Sequence, residues 1–428
     1  MASHLRRASI SQPLLAALAI LASAVVVRAQ AASPPPSSPP QTAAAVAGDD
    51  DANRTDAIDL IRMWRKKPPR SQADIEREAA WAIVPILSSK PSTGVKLGVG
   101  ADVEFNLGDA ATTRYSSVTS ALAFSTHKQI SVSENLRLFG RDNAWMFDGQ
   151  NHYSGGASDN VTLGTSSTAG LAPDIRFYSL QFFDTYYHRV AGNLYAGAGL
   201  YIVRQMEIEP FPSDSPEWDA SPFRTYSAAH GFDAGAQTAS GPGVALRFDN
   251  RDNQNDAARG WYAAATFRAY VDGFLGGNST WEATSIDVRT YRRITPDARH
   301  KLAFWGLADF TSGAAPYLSL PTSGGDEVGR SSRGYADGRF RGERLVYGEA
   351  EYRGLVTRNG FFGIAAFVNM TTVSNRDTGE QLFDSVAIGG GAGVRLLLHK
   401  QSRSNLCVDY AFGRNGSHGL YISLRDAF

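Results

Sequence analysis

The chain has 428 residues, with 42 Lys plus Arg against 42 Asp plus Glu, so it offers neither the basic surface of a nucleic-acid binder nor an acidic tail. A single cysteine, Cys407, excludes an intramolecular disulfide framework and any cysteine-based zinc or iron–sulfur cage, and a mean hydropathy of −0.25 excludes a bundle of membrane helices. Neither figure excludes a membrane β-barrel, whose alternating faces average out to a soluble-looking composition.

Arg6 and Arg7, an apolar run from Leu14 to Val27 and the small-x-small pattern Ala29-Gln30-Ala31 predict a signal peptide over 1–31 and hence export. The apolar run is shorter than the roughly 20 residues a helix needs to cross a bilayer. Residues 32–80 read as a Pro/Ala-rich periplasmic linker, and its first half, to about Arg54, lacks any apolar period and is expected to be disordered. Ile58, Leu60, Ile61, Met63 and Trp64 then form an apolar stripe, followed by Arg65-Lys66-Lys67 and the breaker Pro68-Pro69. That pattern predicts a short amphipathic helix. It suits the inner leaflet of an outer membrane, the mouth of a barrel, or a linker that binds nothing.

From 81 to 428 the hydrophobic period is two. Val95, Leu97, Val99, Ala101, Val103, Phe105 and Leu107 alternate with Lys96, Gly98, Gly100, Asp102, Glu104 and Asn106, and Leu406, Val408, Tyr410 and Phe412 alternate with Asn405, Cys407, Asp409 and Ala411. A soluble sandwich alternates as well, but its strands are usually about five or six residues long, whereas these run to about ten to fourteen, the length of a tilted membrane crossing. Sixteen such segments are predicted, and the long connections 155–173, 207–241, 311–342 and 372–384 all fall at one end. Residues 174–190 alternate poorly, and 223–238 leaves room for additional strand. The expected fold is all-β: a 16-stranded antiparallel transmembrane barrel of the outer-membrane type. Its lumen would hold Lys96, Asp102, Glu104, Arg247, Asp249, Glu349, Glu351, Arg353, Arg395, Asp409 and Arg425, with Cys407 facing the same way. Pro85, which cannot donate to a ladder, suits a weakly paired seam edge.

Three segments, Ala245 to Tyr262, Ser331 to Gly354 and the ending Gly419 to Phe428, resemble the bacterial surface antigen family. That family is the barrel of the outer-membrane assembly superfamily, which includes BamA, TamA and two-partner-secretion transporters. The resemblance implies that Arg333-Gly334-Tyr335, at the tip of the sixth outer loop, folds into the lumen and meets wall residues at Glu351 and Asn369. Period-two counting independently turns Glu351 and Asn369 inward. Two departures imply a weaker lock: Ser332 stands where the family prefers Val or Ile, and Asn369 stands where an aspartate is usual, so that Asn369 would contribute only its amide oxygen. Tyr421, Ile422, Leu424 and Phe428 resemble the β-signal by which the barrel assembly machinery recognises its clients, and Phe428 would also suit an aromatic girdle at the membrane rim.

Residues 32–80 are too few for a POTRA module, and no patatin-like lipase domain fits, so the resemblance is to the subset without POTRA domains. The eight His are scattered, and Gly389 to Gly393 lies within a predicted strand rather than a phosphate-binding turn. The run Asp249 to Asn253 mimics a calcium loop, but Arg251 takes a ligand position and the sharp-turn glycine is missing. No catalytic residue, cofactor or metal is expected. The implied function is membrane-protein assembly or translocation in the bacterial outer membrane, the alternative being a passive or gated pore or a structural protein. The implied partners are outer-membrane lipid, the assembly machinery during biogenesis, and unfolded outer-membrane or secreted clients, with no nucleic acid.

Overall fold

A computed structural model of the chain describes residues 54–70, 80–90, 94–109, 111–159, 162–167, 174–326, 330–400 and 402–428. The expected signal peptide and most of the expected tether lie outside the described residues. Sixteen strands follow one another: β1 (Ala80–Lys90), β2 (Gly94–Phe105), β3 (Ser116–Ser125), β4 (Ile130–Phe139), β5 (Trp145–Asp159), β6 (Asp174–Ala191), β7 (Leu194–Phe211), β8 (Gln237–Asp249), β9 (Gly260–Tyr270), β10 (Trp281–Arg293), β11 (His300–Gly313), β12 (Arg344–Leu355), β13 (Phe362–Val373), β14 (Ala387–His399), β15 (Ser404–Phe412) and β16 (His418–Ser423). Each pairs antiparallel with its sequence neighbours, and β1 meets β16 to close the barrel.

The alternation decides which face is which. On β2, Val95, Leu97, Val99 and Val103 point outward while Asp102 and Glu104 are buried inside. Val244 and Leu246 on β8, Val368 on β13 and Ile388 on β14 extend the apolar outer band. Arg247, Asp249, Glu349, Glu351, Arg353, Arg395 and Asp409 are buried within, and Arg425 reaches Asp102 at 2.7 Å from beyond the last strand. Among the described residues no helix is long and apolar enough to cross a membrane. Hydrocarbon supplies no hydrogen-bond partners, and a closed ladder is the β solution to that constraint.

The poorly alternating strand has a packing explanation. β6 and β7 are 18 residues each and pair as far as Asp174↔Phe211 at the long-loop end. There they meet α2 (Pro222–His230), which occupies the first half of the stretch left open as possible strand, and β8 then begins at Gln237. Phe223 and Tyr226 of α2 pack edge-on against Tyr317, with ring centroids 5.5 and 5.8 Å apart, and the Tyr226 hydroxyl donates to the Ala315 carbonyl at 2.9 Å. Apolar residues in this region therefore pack on protein, and the period of two is lost.

At the short-turn end, α1 (Ala57–Trp64) begins on Asp56, whose side chain accepts from Asp59 N at 2.8 Å. Arg70 bridges Asp56 and Asp59, Lys400 Nζ lies 3.0 Å from Asp59 Oδ2, and Thr55 N donates to Asn359 O at 2.9 Å. The helix is thus bound to the β12–β13 and β14–β15 turns.

The largest departure from the expected strands is at the C-terminus. β16 ends at Ser423, and residues 424–428 turn into the lumen. Phe428 packs against Trp305 and Tyr291, with centroids 5.3 and 6.3 Å apart, and its backbone carbonyl accepts from Arg353 Nη2 at 2.9 Å. The expected rim position of Phe428 is therefore corrected: the inner wall offers an aromatic pocket and a cation, and the tail buries its last ring there.

Two outcomes test this fold. The folded chain should migrate faster unboiled than boiled on detergent gels, because a closed ladder resists detergent. Cys407, buried inside with its Sγ 3.8 Å from Asp426 Oδ1, should react slowly with a hydrophilic maleimide and faster after deletion of residues 424–428. Rapid labelling by a lipid-phase reagent would instead reverse the assignment of faces.

Candidate functional site

The connection between β11 and β12 enters the lumen, and its tip carries Arg333, which is only 1% exposed. One guanidinium nitrogen, Nη2, donates to both Glu349 and Glu351 on β12, and the other, Nη1, donates to Asp409 on β15 at 2.7 Å. The guanidinium plane lies over the Phe367 ring of β13, 3.4 Å from its centroid. Glu349 and Glu351 are two apart on one strand and so share a face, which is how a single planar cation reaches both.

The neighbouring residues of the loop tip are held by backbone contacts. Gly334 has φ +105°, and an added Cβ would stand 2.5 Å from the Phe412 carbonyl oxygen, so glycine is required there. Gly334 N donates to the Tyr421 hydroxyl at 3.0 Å, which in turn donates to the Tyr335 carbonyl at 3.3 Å. The Tyr335 hydroxyl donates to Ile388 O at 2.5 Å and accepts from Arg414 N at 3.0 Å. Arg333-Gly334-Tyr335 thereby touches β12, β13, β14, β15 and β16.

Asn369 is present but plays a different part from the one expected. Its Nδ2 donates to the Arg333 backbone carbonyl at 3.0 Å, so it holds the loop's backbone as a donor and leaves the guanidinium to the carboxylates. Ser332 faces Thr371, with their hydroxyls 2.7 Å apart, a polar contact that a Val or Ile would not make. Glu349, Asp409 and Phe367 also belong to the site. The first two were legible as lumenal from the period, but their convergence on Arg333 depends on strand neighbourhood. The glycine run of β14 makes room for the loop: a Cβ at Gly389 would meet the Arg333 carbonyl oxygen at 2.8 Å.

A second tier of charge joins this site to the C-terminal tail. Arg353 Nε donates to Glu351 at 2.6 Å, and Arg395 reaches Asp409 and Asp426, both at 2.5 Å. Asn405 Nδ2 donates to Asp426 Oδ2 at 3.3 Å. Burial pushes the Asp426 carboxyl up, but Arg353 and Arg395 outweigh burial and hold it below the usual carboxylate range. Because its folded value is depressed, the pairing is in place above the ordinary Asp value of about 3.9 and is lost only as pH falls through the lower folded value. Of the expected targeting residues, Tyr421 and Ile422 lie in β16, whereas Leu424 and Phe428 lie beyond its end. The Asp249 run is a turn in which both Asp249 oxygens accept from Arg251 at 2.9 Å.

A 16-stranded antiparallel barrel with an apolar outer band and a charge-paired lumen defines the class: a transmembrane barrel of the outer-membrane type. No family model matches the chain, and no curated protein matches it by sequence. Among solved structures, BamA from Haemophilus ducreyi lacking POTRA domains 1–3 aligns with a TM-score of 0.53 at 13% identity, covering 81% of this chain and 69% of that one. CdiB from Escherichia coli aligns with a TM-score of 0.50 at 10% identity, covering 81% of this chain and 63% of that one. The likeness is one of fold.

Removing Arg333 would leave Glu349 with the Tyr347 hydroxyl as its hydrogen-bond donor and would strip one cation from a buried group of acids. Breaking a buried ion cluster on one side costs about 3–5 kcal/mol. Arg333→Ala should therefore release the loop, which is read as rapid cleavage by external protease with the wall intact. Glu351→Gln should do so more mildly. Asn369→Asp should loosen the loop as well, since a carboxylate cannot donate to the Arg333 carbonyl and adds negative charge opposite Glu349, its register partner. Unchanged proteolysis in Arg333→Ala would show that the cluster does not hold the loop.

Proposed function

We propose that this is an integral protein of the bacterial outer membrane that works in membrane-protein assembly or translocation, with the Arg333 loop as a lock in its lumen and the β1–β16 seam as the place where a client strand adds. The observation that carries this reading is the seam. β1 pairs with β2 from Ala80↔Glu104 to Lys90↔Gly94, yet among the described residues its register with β16 is the single pair Ser89↔Leu420. Among the described residues most of that β1 edge is left outside the ladder, and Pro85 lies within the strand. An edge lacking its hydrogen-bond partners in a membrane is a site for β-augmentation by an incoming strand. The fold shared with BamA and CdiB supports the same reading.

In this proposal the signal peptide over 1–31 exports the chain and outer-membrane lipid surrounds the wall. The assembly machinery reads Tyr421, Ile422, Leu424 and Phe428 before the tail turns inward. Clients are unfolded outer-membrane or secreted chains. A gated pore is the second reading. It draws on a chamber of about 140 Å³ beside the tail, lined by Arg137, Arg251, Arg289, Arg330 and Arg425 among others.

A seam lock separates the two. Ser89→Cys with Leu420→Cys, in a Cys407→Ser background, should yield an oxidised protein that cannot open. When it is the cell's sole copy, other barrels should disappear from the outer-membrane proteome and return on reduction. A locked protein that leaves the proteome unchanged, while Arg333→Ala alters conductance, would favour the pore.

A further inference from the structure

Helix α1 is amphipathic with its faces reversed. A surface helix on a soluble body turns its apolar side toward that body. Here the side that binds the barrel is polar: Asp59 is held by Arg70 and Lys400, and the N-cap Asp56 accepts from Lys400 N at 3.1 Å. At about 100° per residue, Asp59 and Arg62 share one arc, and Leu60, Ile61 and Trp64 lie opposite with Met63 at the flank. No residue of the helix is buried, and Ile61, Met63 and Trp64 are 51, 67 and 81% exposed.

Two further features say what covers this face. The chain continues through exposed Arg65, Lys66 and Lys67 before Arg70 turns back into the protein, which places a cationic corner beside the apolar arc. Arg62 stiffens that corner by donating to Pro68 O at 3.1 and 2.9 Å. In addition, the turn that receives Thr55 carries exposed Val356, and exposed Ile364 follows on β13, so the helix is seated where the apolar outer band of the wall ends. An apolar stripe with tryptophan at one end and clustered basic residues beside it is the chemistry of a helix lying in a bilayer interface.

We propose that α1 is an interfacial anchor, laid in the phospholipid leaflet at the short-turn rim, with Ile61, Met63 and Trp64 at the acyl boundary and Arg65, Lys66 and Lys67 on anionic headgroups. Its polar face is pinned to the β12–β13 and β14–β15 turns, so the anchor holds the barrel's depth and tilt on the side of β12–β15, the wall that carries the Arg333 cluster. This assignment requires only that the barrel spans a membrane and does not rest on an assembly role.

The test uses the full chain with Met63→Cys in a Cys407→Ser background, carrying a nitroxide. The protein is reconstituted in phosphatidylethanolamine with or without phosphatidylglycerol, and heat-modifiable migration confirms the barrel. With phosphatidylglycerol, relaxation by dissolved oxygen should exceed relaxation by a water-soluble nickel chelate several-fold. Arg65→Glu, Lys66→Glu and Lys67→Glu together should reverse that ratio. Nickel-dominated relaxation in both bilayers would place the face in water and overturn the proposal. Shielding from both agents would place it against protein, a second copy or the barrel mouth, and would also overturn it. An oxygen-dominated ratio that ignores charge reversal would overturn the assignment to anionic lipid.

Discussion

Every backbone donor and acceptor in the wall must find its partner on a neighbouring strand, because hydrocarbon offers none. From that constraint follow the closed ring of sixteen strands, the apolar outer face and the confinement of charge to the inside. It also explains why the seam is the exceptional place. With one register pair between β1 and β16 among the described residues, the ladder that protects the other strands protects this edge least.

Charges confined in a lumen have to neutralise one another. Arg333 does this for Glu349, Glu351 and Asp409, and Arg353 and Arg395 extend the neutralisation to Asp426. A buried cluster of this kind is weak evidence for stability, since desolvation offsets much of the attraction, but it is demanding about geometry. It ties the sixth outer loop, the inner wall of the last strands and the C-terminal tail to one another. Moving any of these strips partners from the others.

The fold tolerates wide divergence for the same reason. A lipid-facing position asks for an apolar side chain and little else, so Val, Leu, Ile, Phe and Ala interchange there without altering the ladder. Identities of 13 and 10% with barrels of the same architecture are what such a loose requirement permits. Stricter demands fall on positions where backbone packs against backbone, and two of them lie at the loop tip. Gly334, whose φ is +105°, is held against the Phe412 carbonyl, and Gly389, against the Arg333 carbonyl, has no space for a Cβ.

The strand order, the inward set of Glu349, Glu351, Arg353, Arg395 and Asp409, and the amphipathic helix before the barrel were legible in the sequence, because each rests on a local period of two or of about 3.6 residues. The motif around Arg333 pointed to the loop tip and to Glu351 as a partner. What the sequence could not reach was set by contacts between distant strands. Asp409 joins Arg333 because the curved wall turns the inner face of β15, three strands along from β12, toward the same loop tip, and Asn369 proves a donor to backbone because the loop presents its carbonyl there. Alternation continues on paper through Leu424 toward Phe428, yet the tail leaves the wall after Ser423, since Trp305, Tyr291, Arg353 and Arg395 together offer it a better site inside. The direction in which α1 turns its apolar face was likewise undecided by its sequence, because a helical period fixes only that two faces exist. Arg70 and Lys400, which are brought to the helix by the tertiary fold, determine which of them meets the protein.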